Sequence, residues 1–95
     1  MFESIDKKLE KIGFVKLHGE DGESKYGVYY RRKVEKFGYY QRLDICHKAN
    51  GKHLIISYQE GVNSDKLNNS VGLTYKEMKL SMKKYRQMKR RYGWK

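Results

Sequence analysis

Asn50-Gly51 stands between two runs in which apolar and polar side chains take turns, residues 39–48 and 52–59. That dipeptide is the strongest local signal for a β-hairpin, because a two-residue type I′ turn needs positive φ at both central positions. Centring the turn there predicts that Ala49 faces Lys52, His47 faces Leu54, Ile45 faces Ile56 and Leu43 faces Tyr58. Successive side chains on a strand point to opposite sides. Leu43, Ile45, Leu54, Ile56 and Tyr58 are therefore expected to share a buried face. The other face would carry Tyr40, Arg42, Asp44, Cys46, His53, Ile55, Ser57 and Gln59. One apolar and one mixed polar face is the pattern of an antiparallel sheet covered on one side.

The preceding segment extends this sheet. Lys25 to Val34 reads as a strand with Val28, Tyr30 and Val34 on one face and Tyr29, Arg31 and Lys33 on the other. Glu35-Lys36-Phe37-Gly38 makes the turn. Pairing Val34 with Tyr39 sets Tyr30 against Leu43, Val28 against Ile45 and Tyr26 against His47, which keeps the apolar face unbroken. Phe14 to His18 alternates and reads as a first strand, followed by the polar turn 19–23. That turn is the only acidic cluster in the chain and is expected to lie away from any anionic ligand. Residues 60–72, rich in Gly, Asn and Ser, read as a long loop tacked down by Val62, Leu67 and Val71.

A helix is expected at each end. Phe2, Ile5, Leu9 and Ile12 form one stripe of a short helix, with Ser4 as a candidate cap and Gly13 at the left-handed position after it. Thr74-Tyr75-Lys76-Glu77 is a capping box, in which threonine and glutamate satisfy each other's backbone amides. The helix that follows runs to about Tyr92, with Met78, Met82, Tyr85, Met88 and Tyr92 as its apolar stripe and Gly93 as its stop. The order is α-β-β-β-β-α. It predicts a single α+β domain over 1–95, a two-layer sandwich with both helices on one face of an antiparallel sheet of three or four strands.

Charge bounds the function. The chain holds 22 Lys and Arg against 11 Asp and Glu, a net charge of +11 over 95 residues. Such an excess favours an anionic partner, namely nucleic acid or a nucleoprotein, an acidic protein surface or an anionic membrane, the last disfavoured because the sheet needs the apolar face of the basic helix. The single cysteine excludes an intrachain disulfide and fits a reducing compartment. No signal peptide or membrane span is read in the sequence, so a cytoplasmic protein without a membrane partner is expected.

Two surfaces are candidates for that partner. The C-terminal helix gathers Lys79, Lys83, Lys84, Arg86, Lys89, Arg90 and Arg91, and a basic helix can lie along phosphates or enter a major groove. The outer sheet face gathers Tyr29, Arg31, Tyr40 and Arg42. There Arg31 would face Arg42, a pair that repels unless an anion lies between them, and the tyrosines could stack on bases. Cys46, His47 and His53 are the only soft metal ligands close in sequence. Cys46 and His47 point to opposite faces, and no second cysteine is present. No metal or other cofactor is expected, and His47 reads as a hydrogen-bonded histidine at the core edge. Asp44, Cys46, His53 and Glu60 fit no catalytic motif, so no enzymatic activity is expected.

Three runs together carry a resemblance: Tyr26-Gly27-Val28-Tyr29-Tyr30, Asp44 through Ile55, and Val71 through Leu80. They resemble small accessory proteins of phages and mobile elements of Firmicutes. The resemblance implies a DNA-binding regulator or an inhibitor of host defence of the anti-CRISPR type, working in the cytoplasm of a bacterial host. It assigns no residue a role. The element order is also similar to that of double-stranded-RNA-binding domains. The chain departs from these in its fourth strand, its long loop before the last helix and its lack of a lysine cluster at that helix's start.

Overall fold

The computed structural model describes residues 3–48, 50–60 and 69–95. Two helices, α1 (Ile5–Lys11) and α2 (Tyr75–Tyr92), pack against each other and on one face of a five-stranded antiparallel sheet. The strands are β1 (Val15–Lys16), β2 (Glu23–Ser24), β3 (Gly27–Val34), β4 (Tyr39–His47) and β5 (His53–Glu60). The spatial order is β1-β3-β4-β5, and β2 also pairs with β3. This is the expected α+β sandwich with one strand more. Phe2, Val62 and Leu67, expected to pack on the body, lie outside the described residues.

Local chemistry sets the helix ends as expected. Ser4 accepts from the Lys7 amide and starts α1. Gly13 at φ +98 ends it, with its N–H on Glu10 O and the Phe14 N–H on Leu9 O. That pair of bonds is a Schellman motif, and its hydrophobic contact is supplied by Leu9 and Phe14, both fully buried. At α2, Thr74 Oγ1 accepts from the Glu77 amide at 3.1 Å, while the Thr74 N–H donates to Glu77 Oε1 at 2.9 Å.

The β3–β4 register is the expected one, with Tyr30 opposite Leu43 and Val28 opposite Ile45. The β4–β5 register is not. Ile45 pairs with Ile55 and Leu43 with Ser57, one residue off the expected pairing. Gly51 alone takes a positive φ, +81, and Asn50 does not, so a type I′ turn is absent. The Lys48 N–H donates to Lys52 O and the Gly51 N–H to Lys48 O, so Lys52 closes the turn on Lys48; Ala49, its expected partner, lies outside the described residues. A one-residue slip turns every side chain of a strand over. Leu54, Ile56 and Tyr58 therefore lie on the outer face, and His53, Ile55 and Ser57 face the helices. The run Leu54-Ile55-Ile56 is apolar on both faces, so alternation could not choose. The polar residues decide. Ser57 Oγ accepts from buried Gln41 at 2.7 Å, His53 Nδ1 lies 2.6 Å from Tyr85 OH, and Tyr58 OH donates to Asp44 at 2.9 Å.

β1 and β2 are one edge strand interrupted by an excursion. Leu17 donates its N–H to Tyr29 O, and Tyr29 donates its own to Gly22 O, so the chain leaves and rejoins β3 at the same residue. Residues 18–21 loop out between them, including a 3₁₀ turn at Gly19–Asp21. Leu17 and Gly22 are thereby pressed together. A Cβ on Gly22 would stand 1.7 Å from Leu17 O. Gly22→Ala is expected to cost about 3 kcal/mol, because the obstacle is backbone and cannot turn aside. A thermal midpoint within a few degrees of the parent would contradict this closure.

The core consists of Leu9, Phe14, Val28, Tyr30, Leu43, Ile45, Leu80, Met88 and Trp94. α2 buries Glu77, Leu80, Ser81, Lys84 and Met88. This face is rotated by roughly 80° from the stripe Met78, Met82, Tyr85, Met88 and Tyr92 that periodicity suggested. Two charged residues cause the difference. Glu77 takes Arg32 at 2.7 Å, and Lys84 closes on α1, so ion pairing turns the helix where apolar counting would not.

Candidate nucleic-acid interface

The rotation of α2 leaves a uniform outer face. Lys76, Lys79, Lys83, Arg86 and Arg90 recur at alternating spacings of three and four, and all five are exposed. They lie opposite the buried face and span roughly 21 Å of helix at 1.5 Å per residue. Lys89 is exposed on the flank of the stripe. Among the described residues none of these six has a carboxylate within ion-pairing distance; the α2 cations that do are Lys84 and Arg91. Lys76 was not singled out in the sequence, although the three-four spacing extends to it.

Of the expected phosphate contacts, Lys84 is buried, while Arg91 is 45% exposed and ion-paired. Lys84 is 2% exposed. Its ammonium lies 3.0 Å from Asp6 Oδ1 and 3.7 Å from Glu23 Oε1, and it donates to Gln87 at 2.8 Å. Arg91 reaches Glu23 at 2.6 Å, and Tyr92 OH donates to the same oxygen at 2.8 Å. Lys16 and the Tyr30 hydroxyl complete the cluster on Asp6. Burial opposes ionisation of Asp6, but hydrogen bonds from Tyr30, Lys16 and Lys84 outweigh it and hold the carboxyl at about 2. Glu23 is lowered in the same way, burial being overcome by Tyr92, Arg91 and the nearby lysines.

The outer sheet face is assembled as expected but neutralised from within. Arg31 does stand opposite Arg42. The anion between them is Glu60, 2.9 Å from Arg31 Nε and 3.1 Å from Arg42 Nη1. Arg42 also lies 3.3 Å from Asp44, whose other oxygen accepts from Tyr58 OH. The Arg31 guanidinium covers the Tyr40 ring at 4.4 Å. Burial pushes the hydroxyls of Tyr29 and Tyr58 up to about 12, and burial raises Asp44 despite Tyr58 and Arg42. Arg31 and Arg42 are matched by Glu60 and Asp44, and Lys33 on the same face lies 3.9 Å from Glu35, so this face carries no excess charge among the described residues. The acidic turn adds to that. Glu20 and Asp21 line a 480 Å³ hollow together with Tyr29 and Arg42, so the acids sit beside this surface and not away from it.

The remaining sequence candidates separate. Cys46 lies on the outer face with its thiol pushed up by burial. His47 and His53 face the helices, their rings 5.0 Å apart, and both pack against Trp94. His47 is at the core edge as expected, but its Nδ1 has no hydrogen-bond partner among the described residues. Trp94, which nothing in its sequence context marked, is brought back by Gly93 at φ +65 and donates Nε1–H to Lys25 O at 2.7 Å. No described helix is long and apolar enough to cross a membrane. Compared with known proteins, the chain matches no family model, no curated protein and no solved structure.

Proposed function

We propose that this protein binds nucleic acid, or a nucleoprotein, through the outward stripe Lys76, Lys79, Lys83, Arg86 and Arg90, with Lys89 beside it. The observation that carries the reading is that this one helix face holds cations alone, without carboxylates among the described residues. Lysine and arginine on such a face contact phosphates, which sets orientation, and in a major groove they also reach guanine edges. The role is that of an accessory protein of a phage or mobile element, acting in the host cytoplasm. Neutralising Z phosphates of a duplex gives a slope of log affinity against log salt of about −0.9Z. Five contacts predict a slope of about −4.5, a fall of roughly 500-fold between 50 and 200 mM salt. Fluorescence anisotropy with labelled duplex and single-stranded DNA and RNA measures this directly. Absence of binding to all of them at 50 mM salt would refute the proposal.

A protein-directed inhibitor of a host defence system is the second reading. It is favoured by the lack of any known base-reading motif in the chain. Capture from host lysate before and after nuclease treatment separates the two, because a nucleic-acid bridge disappears with nuclease.

A further inference from the structure

β5 is an edge strand, and among the described residues only part of its edge is covered. The Gln59 N–H donates to Asn69 O, and the Val71 N–H donates to Ser57 O. Odd-numbered residues of β5 therefore turn their backbone groups outward, while Leu54, Ile56 and Tyr58 bond to β4. By the same alternation, the N–H and C=O of His53 and Ile55 point out of the sheet, and they have no backbone partner among the described residues. Natural edges are usually blunted by proline, charge or a covering segment. This half of β5 reads His53-Leu54-Ile55-Ile56 and has none of the first two.

The open edge adjoins an apolar groove of about 390 Å³ between β5 and α2, lined by His53, Leu54, Ile55, Met78, Met82 and Tyr85. Met78 is 39% exposed. Lys79, Arg86 and Lys89 stand three or four residues from Met82 or Tyr85 on α2, so the groove wall carries a basic rim.

We infer that this edge and groove take an extended peptide from an acidic protein partner, added as a further β-strand. Backbone pairing to His53 and Ile55 would supply affinity, and alternate side chains would supply specificity. The groove selects apolar side chains, and the rim selects Asp or Glu beside them. A second copy of this chain fits less well, because edge pairing would bring two basic helices together. The site is separate from the outward stripe, although Lys79, Arg86 and Lys89 border both.

The probe is a capped peptide of alternating valine and leucine flanked on each side by two glutamates. Its binding is followed by fluorescence anisotropy and by amide hydrogen exchange. Slowed exchange at the His53 and Ile55 amides is expected, with binding about tenfold weaker when alternate peptide amides are N-methylated. Binding should also weaken about tenfold when lysines replace the glutamates or when Met82→Glu is introduced. Unchanged exchange at both amides, equal binding of the N-methylated peptide, or concentration-dependent dimerisation protecting the same amides without peptide would each overturn the proposal. A neutral Met82→Ser variant, which adds no carboxylate beside Lys79 and Arg86, should weaken peptide binding and leave the nucleic-acid titration unchanged.

Discussion

Lys84→Ala is expected to lower the thermal midpoint by about 15 °C, a loss of about 3 kcal/mol. The ammonium is buried, and its removal leaves Asp6 and Glu23 partly desolvated with one cation fewer. The expected loss stands at the low end for a broken buried pair, because Lys16 and Arg91 remain on these carboxylates and the Asp6 side chain is 30% exposed. Replacing the pair together, Asp6→Asn with Lys84→Met, should recover most of the loss. Methionine fills the space, and the asparagine carbonyl still accepts from Tyr30. A midpoint for Lys84→Ala within about 4 °C of the parent would show that the lysine is a surface cation after all.

The same cluster fixes a pH dependence. Asp6 ionises at about 2 in the folded chain against 3.8 unperturbed. A carboxyl lowered on folding stabilises above its unfolded pKa, and that contribution is lost as the pH falls from about 4 to 2. Glu23 and Glu77 are lowered too and add to the same acid limb. Asp44 runs the other way, since burial raises it and its protonation favours the fold. Acid unfolding followed by circular dichroism should therefore show a shallower limb in the Asp6→Asn/Lys84→Met variant than in the parent.

The second large effect concerns binding. Changing Lys79, Lys83, Arg86 and Arg90 together to glutamine should reduce the salt slope from about −4.5 to about −1. The thermal midpoint should hold, because all four side chains are exposed and lack carboxylate partners among the described residues. The comparison pair Arg31→Gln/Arg42→Gln should do the reverse. It leaves the slope in place and lowers stability, because Glu60 and Asp44 lose their cations. If the quadruple variant keeps the parent's slope, the phosphates are held elsewhere.

Caps and unambiguous alternation are legible in the sequence itself. Ser4, Gly13, Thr74 with Glu77, and Gly93 mark their helix ends because each acts on backbone within a turn of itself. The β3–β4 register followed because Val28, Tyr30, Leu43 and Ile45 leave one apolar solution. The β4–β5 register failed where three consecutive apolar residues fit either face and distant partners settled the choice. The face of α2 failed for a related reason. Nothing in Met78 to Tyr92 announces that Lys84 will meet Asp6, which is 78 positions earlier in the chain. Five of the six cations of the candidate interface were legible as a charge density, and Lys76 was not. Which cations stay outside depended on where the few carboxylates lie.

The long separations have a consequence for how the chain is made. Glu23 meets Arg91 and Tyr92 across 68 and 69 positions, and Lys25 O meets Trp94 across 69. The β3–β4–β5 meander, by contrast, is built from neighbours in sequence and can form early. During synthesis the N-terminal elements emerge first. Here α1, β1 and β2 leave the ribosome with Asp6 and Glu23 lacking the cations of α2, and they gain them only when the last helix is out. Completion of the domain is thereby tied to the emergence of α2.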